Sequence, residues 1–144
     1  MQDLPHFYRA SARGKGPDNV IVSSDGLPDL ETAGPPEFGG PGDVWSPETM
    51  LVGAVANCFI LTFRAIARAS KLEWNDLSCS VEGVLDRVDG VTRFTAFHIK
   101  ARLTIPEAMD PQRADRVLHK SEAVCLVTAS LNTENHLETE VVVV

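Results

Sequence analysis

The fold is decided by one stretch of sequence, residues 46–70, which reads SPETMLVGAVANCFILTFRAIARAS. Its start carries the signals of a helix N-terminus, because Ser46 can cap the first turn, Pro47 fits the first helical position and Glu48 complements the dipole. Basic side chains near its end suit a helix C-terminus. The pattern predicts a helix running to about Ser70, with a first half that is apolar on nearly every side.

Downstream of this helix, the sequence predicts two strands, a second helix and a last strand. Residues 77–82 and 97–105 alternate apolar and polar side chains, as half-buried strands do. Asp89-Gly90 is a hairpin turn between the two strands. Asp110-Pro111 opens a second helix, in which helical spacing places Cys125 on the buried face near the end. Residues 137–144 (LETEVVVV) form the last strand.

Upstream of the helix, residues 6–13 and 19–24 form a first hairpin with its turn at Gly14–Pro17. Residues 26–44, rich in glycine and proline, form a long connection of the kind that often carries function. The resulting order is two strands, a helix, two strands, a helix and a strand. This order predicts one α+β domain over residues 1–144, with antiparallel sheet packed on two long helices.

The apolar character of the first helix also predicts a partner. One sheet cannot cover a helix that is apolar nearly all round, so a second copy of the chain is the simplest way to bury it. We therefore expect a homodimer.

Composition narrows the classes of function. The 144 residues carry a net charge of −7, with 44% hydrophobic and 23% charged residues. An acidic surface repels phosphate, so we expect no binding of nucleic acid or of a membrane surface. Residues 1–13 lack the apolar region of a secretion signal, and the apolar stretch Met50–Phe63 is too short to span a bilayer. We expect a cytoplasmic protein, where three cysteines are free or catalytic rather than a disulfide framework.

The cysteines are the candidates for chemistry. Cys79 lies on the apolar phase of its strand and is a core residue. Cys58 and Cys125, each taken alone, also fit a core position, and a thiol in the middle of a helix needs a cationic neighbour to lower its pKa. A thiol peroxidase needs such a neighbour, a polar group for the leaving oxygen, and a second thiol that captures the sulfenic acid as a disulfide.

Residues 39–59, GGPGDVWSPETMLVGAVANCF, resemble the signature of the OsmC/Ohr proteins. In that family a glycine-rich loop leads to Asn-Pro-Glu and then to a helix with Ala-x-x-x-Cys-Phe. Residues 123–128, AVCLVT, resemble the segment of the family's second cysteine. Residues 13–16, RGKG, are similar to the stretch that supplies an arginine in the OsmC branch. The order of elements matches over nearly the whole chain.

This resemblance implies an activity and a set of roles. It implies an OsmC/Ohr-like fold, an intertwined homodimer with two sites at the subunit interface, and reduction of organic hydroperoxides without a cofactor or metal. Cys58 would be the peroxidatic thiol and Cys125 the resolving thiol. Arg13 and Glu48 would form an ion pair that holds the thiolate and orients the peroxide. The reductant would be a dithiol, such as a lipoylated protein, or a small thiol.

The chain departs from the family pattern at several positions. The asparagine before Pro-Glu is Ser46 here, which can still cap the helix. The proline after the second cysteine is Leu126, which changes how Cys125 can approach. The Ohr pattern places an arginine nearer Pro17, where this chain has none, so Arg13 is either the OsmC-type arginine or a surface residue, with Arg9 as a weaker substitute.

Helix geometry adds a constraint on the site. Glu48 and Cys58 are ten residues apart, which is about 15 Å along a straight helix. We therefore expect Glu48 of one subunit to meet Cys58 of the other. Trp45 and Phe59 either line an apolar channel for the tail of a peroxide or fill the core.

Two other functions compete with the peroxidase. A stress-related binding protein of the same fold would keep its cysteines as core residues. A hot-dog-like thioesterase would need a carboxylate in the middle of the long helix, and Met50–Phe63 contains none. The four histidines show no mutual ligand spacing, and C-x-x-C and H-x-x-x-H motifs are absent, so we expect no metal site.

Overall fold

The computed structural model describes all residues from 1 to 144 and divides them into two compact units, Met1–Leu51 and Val52–Val144. The first unit holds a three-stranded antiparallel sheet made of β1 (Ser11–Arg13), β2 (Val20–Ser23) and β3 (Leu30–Thr32), in that order. The predicted hairpin is therefore present but shorter than residues 6–13 and 19–24. Strand β3 was missed, because three residues inside a segment rich in glycine and proline carry no alternation to detect.

A tight loop leads from this sheet to the long helix. A short 3-10 helix covers Pro36–Phe38. An added Cβ on Gly40 would lie 1.6 Å from the carbonyl oxygen of Gly34, so only glycine fits at position 40. Farther along, Thr32 and Trp45 form an isolated bridge. The loop is thus ordered by backbone contacts, as expected for a functional connection rather than a linker.

Helix α1 spans Pro47–Ala69, close to the predicted bounds. The Ser46 hydroxyl accepts from the Thr49 amide at 3.1 Å, and the Thr49 hydroxyl accepts from the Ser46 amide at 2.9 Å. This reciprocal pair is a capping box and confirms Ser46 as the cap.

A single apolar stripe of α1 is buried, with one residue per turn: Val55, Phe59, Phe63 and Ala67, each at most 1% exposed. The rest of the helix is partly or fully exposed in the single chain, and Leu61 is 53% exposed. By length and mean hydropathy the helix could cross a bilayer, which corrects the expectation that the apolar stretch is too short. Within the single chain, only 22% of its most apolar 18-residue window is buried.

The second unit carries a larger sheet. Strand β4 (Asp76–Val88) pairs antiparallel with β5 (Val91–Ile105), and β6 (Glu134–Val143) completes the order β4-β5-β6. Asp89 and Gly90 both have positive φ and form the predicted hairpin turn. A bulge at Val84/Leu85 shifts the register of this hairpin. Both strands extend farther toward the turn than their alternation predicted.

One pairing corrects the predicted antiparallel sheet. Strand β6 runs parallel to β5, with His98 opposite His136 and Leu103 opposite Val141. The connection from β5 to β6 contains a helix, and such a crossover returns the chain to the same end of the sheet, which makes the two strands parallel. The alternation of apolar and polar residues within β6 does not reveal this direction.

Helix α2 spans Pro111–Ala123, with Asp110 capping it through the amide of Gln112. A four-residue helix α3, Leu126–Ala129, follows. The expectation of two long helices is therefore not met, because the chain turns at Val124 (φ −115°, ψ 10°). Cys125 is buried as expected but lies between the two helices rather than inside one. Its spacing of four from Ser121 kept the helical pattern intact across the break, which hid the break from the sequence.

The core of the second unit lies on one face of the sheet. Alternate residues of β5 are buried from Phe97 to Ile105, and α2 adds Ala114, Val117 and Leu118. An added Cβ on Gly83 of β4 would lie 2.8 Å from Val52 and 2.9 Å from Phe94, so this glycine lets α1 pack closely against the sheet.

Candidate active site

Cys58 lies in the middle of α1, beside the buried Phe59, and is partly buried. Its sulfur is 3.8 Å from the hydroxyl of Thr62, one turn later. Residues four apart share a helix face, so α1 itself supplies this first polar neighbour.

Cys125 is the second cysteine of this site and precedes the short helix α3. It is 2% exposed and has an extended backbone (φ −63°, ψ 115°) just before α3. Its thiol and the backbone N–H groups of Leu126 and Val127 are near enough to Cys58 to lower the pKa of that thiol. The fold therefore brings together two cysteines that are 67 positions apart in the sequence, from 58 to 125.

The surroundings of Cys58 favour its thiolate. Burial opposes ionisation and would raise the pKa of Cys58. Hydrogen bonds from the Val127 amide, the Cys125 thiol, the Thr62 hydroxyl and the Leu126 amide outweigh burial, and the pKa of Cys58 is lowered from its ordinary value. The sequence analysis expected a cation in this role. Within the single chain, neutral donors perform it.

The pKa values of the other two cysteines are shifted in the opposite direction. Burial raises the pKa of Cys125, and the hydrogen bond and negative charge of Cys58 raise it further, against donors from Thr128. Burial, together with the charge of Cys125, raises the pKa of Cys79 to about 11. The raised pKa disfavours the thiolate of Cys79, which is partly buried in β4 rather than part of the buried core. The site therefore favours ionisation of Cys58 over ionisation of Cys125.

Arg13 and Glu48 belong to the first unit, Met1–Leu51. Arg13 is an exposed residue of β1 and lines a surface hollow of about 520 Å³ with acidic neighbours that include Asp18 and Glu31. No Arg13–Glu48 ion pair forms within the single chain. Glu48 lies in the first turn of α1, and its Oε2 is buried without a hydrogen-bond partner. The ion pair predicted from the family resemblance stays a prediction about two subunits.

Two of the four histidines meet on the exposed face of the sheet. The rings of His98 and His136 stack with centroids 5.0 Å apart, and His136 lies 3.7 Å from Glu134. The chain contains no group of three or more histidine, cysteine or acidic side chains that could hold a metal ion.

Sequence reasoning missed three donors of the site. Thr62 could have been found, since it lies four residues after Cys58 on a helix. The amides of Leu126 and Val127 carry no signal in the sequence, because every residue except proline has an N–H and only the fold decides where it points.

The comparison with known proteins agrees with this architecture. The sequence profile of the family described as OsmC-like protein matches residues 40–140, a span that includes Cys58 and Cys125. The chain belongs to the OsmC-like family. In sequence, it is 32% identical to an uncharacterised protein of Bacillus subtilis, YmaD, over 94% of each chain.

Solved structures share the fold over nearly the whole chain. An OsmC-like protein of unknown function from Vibrio cholerae is 18% identical, with a TM-score of 0.86 over 94% of this chain and 99% of that one. A Legionella pneumophila protein described as an organic hydroperoxide resistance protein OsmC is 24% identical, with a TM-score of 0.78 over 96% and 99%. These structural matches show the fold of the chain.

Proposed function

We propose that this OsmC-like protein reduces organic hydroperoxides through Cys58 and Cys125. One feature carries the proposal: the fold brings Cys125 near enough to Cys58 for the two thiols to shift each other's pKa values in opposite directions. A peroxidatic thiol must be ionised to attack, and a resolving thiol must be close by. The description of the Legionella relative as an organic hydroperoxide resistance protein supports the same chemistry.

The first step is attack on the peroxide. The Cys58 thiolate attacks one peroxide oxygen of ROOH. A sulfur–oxygen bond forms, the O–O bond breaks and an alkoxide leaves. The alkoxide takes a proton from water and becomes the alcohol. Sulfur is oxidised to sulfenic acid, and the peroxide is reduced by two electrons. Donors that stabilise the thiolate raise its population at neutral pH.

The second step is resolution by Cys125. The charge of Cys58 raises the pKa of Cys125 and keeps it protonated while Cys58 is reduced. Sulfenic acid formation removes that charge, so that Cys125 can lose its proton to water and attack the Cys58 sulfur. A disulfide forms and hydroxide leaves, taking up a proton to give water. A thiol reductant, which we propose to be a dihydrolipoyl group or a small thiol, then reduces the disulfide by exchange.

The surroundings of the two cysteines favour an apolar substrate. Leu61, Val124 and Leu126 expose 53%, 54% and 69% of their surfaces, and each is within four residues of a site cysteine in the sequence. An alkyl or lipid tail gains free energy by covering such side chains, whereas hydrogen peroxide has no tail. We propose organic hydroperoxides as the preferred class, and hydrogen peroxide as a poorer substrate.

A homodimer is the second part of the proposal. The uncovered apolar surface of α1 supports burial by a second copy. The buried, unpartnered Oε2 of Glu48 supports a donor from outside its own chain, since an unpaired buried carboxylate oxygen is unfavourable. We propose that Arg13 and Glu48 act at the Cys58 of the partner subunit. Because all three cysteines are free thiols, we propose a reducing compartment, the cytoplasm.

The activity is tested by the loss of cumene hydroperoxide in the presence of dihydrolipoamide. Cys58→Ser should abolish turnover, and Cys79→Ala is the matched control that should keep it. Mass spectrometry after one equivalent of peroxide should find a Cys58–Cys125 disulfide. Unmodified thiols and equal rates for wild type and Cys58→Ser would instead support a binding protein of the same fold.

The shared site is tested by mixing two inactive variants. Glu48→Gln and Cys58→Ser subunits, combined after denaturation and refolding, form heterodimers in which one site receives Cys58 from one chain and Glu48 from the other. Recovery of activity on mixing is the expected result. If both residues serve within one chain, mixing restores nothing.

A further inference from the structure

One side of α2 carries only positive charge. Helical spacing of three and four residues places Arg113, Arg116 and Lys120 on this side, and we call these three residues the cationic face. Arg116 and Lys120 are exposed, Arg113 is half-buried, and none of the exposed residues of α2 is acidic. The side that packs on the rest of the chain is formed by the buried residues of the helix: Ala114, Val117, Leu118 and Ser121.

The charge of the cationic face is not neutralised within the chain. Neither Arg116 nor Lys120 takes part in an ion pair. Both carboxylates of α2 are half-buried and lie on other sides of the helix, and that of Asp115 accepts a hydrogen bond from the Thr139 hydroxyl of β6. Because the chain as a whole has a net charge of −7, this face differs in sign from the average surface and is free to attract an anionic partner.

The end of α1 extends the positive region. The guanidinium of Arg113 donates to the carbonyl oxygen of Ser70, which joins the first turn of α2 to the residues just after α1. The exposed side chains of Arg68 and Lys71 flank Ser70 in the sequence. Positive charge therefore continues from the cationic face onto the C-terminal end of α1.

The other end of the cationic face leads to the cysteine site. The Val124 amide donates to the Lys120 carbonyl and the Cys125 amide to the Glu122 carbonyl, each at 3.2 Å, so Cys125 follows the last turn of α2 directly. Arg113 precedes Cys125 by 12 residues in the sequence, which is about 18 Å along a helix. A partner bound along α2 would thus reach Cys125 with one end, where Val124 offers an apolar contact that is 54% exposed.

We propose that the cationic face of α2 is the docking surface for the reductant, and that an acidic protein delivers this reductant as a dithiol. Charge complementarity selects such a partner, because the rest of this acidic chain repels it and the cationic face attracts it in one orientation. The proposal rests on the proposed function, since it names the partner of the step that reduces the Cys58–Cys125 disulfide.

In this step, a thiolate of the docked dithiol attacks Cys58, which is the more exposed of the two sulfurs. A mixed disulfide forms, the Cys58–Cys125 bond breaks, and Cys125 leaves as a thiolate that takes up a proton. The second thiolate of the partner then attacks the sulfur of its own chain in the mixed disulfide and releases Cys58 as a thiolate. The partner is oxidised to a disulfide by two electrons, and the two cysteines of this chain are reduced.

The rate test uses three peptides that each carry a dihydrolipoyl-lysine and differ only in their flanking residues, which are glutamate, glutamine or lysine. The protein disulfide is formed with diamide, and its reduction is followed by mass spectrometry at about 0.01 M and about 1 M salt, where charges act over about 30 Å and about 3 Å. At low salt the glutamate peptide should react about tenfold faster than the glutamine peptide, and at high salt the two rates should be equal. Net charge alone predicts the reverse order, with the lysine peptide fastest.

Two double variants locate the effect on the surface. Arg116→Gln with Lys120→Gln should remove the advantage of the glutamate peptide and leave the rate with the glutamine peptide unchanged. Arg87→Gln with Lys100→Gln, which removes the same charge from exposed residues of β4 and β5, is the matched control and should keep the advantage. A glutamate peptide that is no faster than the glutamine peptide, or an equal loss in both double variants, would overturn the proposal.

Docking is also measured without any thiol chemistry. A glutamate peptide that lacks the lipoyl group should move the amide NMR signals of Arg116, Lys120 and Ala123 and leave that of Lys100 in place. These shifts do not depend on the reactivity of Cys58 toward peroxide, so a failure of the proposed function and a failure of the docking surface give different results. Signals of α2 that stay constant on addition of the peptide would overturn the docking surface.

Discussion

The thiols of Cys58 and Cys125 act on each other, and their interaction lowers the pKa of Cys58 while it raises that of Cys125. Ionisation of one thiol therefore opposes ionisation of the other. In the proposed reaction, attack and resolution are therefore ordered by charge, since Cys125 ionises more readily once Cys58 has lost its negative charge.

Removing Cys58 should make Cys125 more acidic. In Cys58→Ser, the charge and hydrogen bond that raise the pKa of Cys125 are lost, while the Thr128 donors remain. The midpoint of Cys125 alkylation against pH, followed by peptide mass spectrometry, should move to lower pH than in wild type. Burial of Cys125 is unchanged, so the midpoint should stay above that of a free cysteine. An unmoved midpoint would mean that Cys58 does not control Cys125.

Peroxide reduction should persist below the ordinary cysteine pKa of about 8.5. The folded pKa of Cys58 is lowered, so folding favours the thiolate. The stability that this contributes is complete above the ordinary pKa and is lost as pH falls through the folded value. The rate of cumene hydroperoxide loss and the free energy of unfolding should both decline over that window, and Cys58→Ala should abolish this part of the stability profile.

Cys79 should behave as an inert thiol. Burial and the charge of Cys125 raise its pKa to about 11, so its thiol form is favoured by folding. This contribution is complete below the ordinary thiol pKa and is lost as pH rises toward 11. At neutral pH, iodoacetamide should modify Cys58 and leave Cys79 intact until the protein unfolds. Modification of Cys79 in the native protein would contradict this expectation.

Gly83→Ala should destabilise the packing of α1 on the sheet. The new Cβ would lie 2.8 Å from Val52, 2.9 Å from Phe94 and 3.0 Å from Phe97, and two of these neighbours are rigid rings. We expect a loss of about 1–3 kcal/mol in the free energy of unfolding, measured by urea denaturation. Gly34→Ala is the control, because a Cβ there meets nothing within 4 Å and φ is not positive. Equal stabilities for the two variants would refute the close approach.

Arg113 should stabilise the end of α1. Its guanidinium donates to the carbonyl oxygen of Ser70, one of the groups that a helix C-terminus leaves unpaired. Arg113→Met should lower the free energy of unfolding by about 1–2 kcal/mol, since a partly buried carbonyl loses its donor. Arg116→Met, on the exposed side of α2, should change it little. A comparable loss in both variants would point to helix propensity or net charge instead of the cap.

The helix starts and the hairpin turn of the chain could be predicted from its sequence. Ser46-Pro47 and Asp110-Pro111 each start a helix, and Asp89-Gly90 makes a hairpin turn, as predicted. These features depend on neighbouring residues alone, through side-chain caps and backbone preferences. The motifs around Cys58 and Cys125 predicted the family of the chain, which the match over residues 40–140 confirms.

The tertiary structure decided the features that depend on distant contacts. The sequence pattern did not predict the parallel direction of β6, the break at Val124 or the short β3 strand. The same alternation or spacing fits either arrangement. The thiolate donors were decided in the same way. An N–H is common to almost every residue, so only the fold decides that those of residues 126 and 127 lower the pKa of Cys58. Sequence determined which atoms can react, and the fold determined what stabilises their charge.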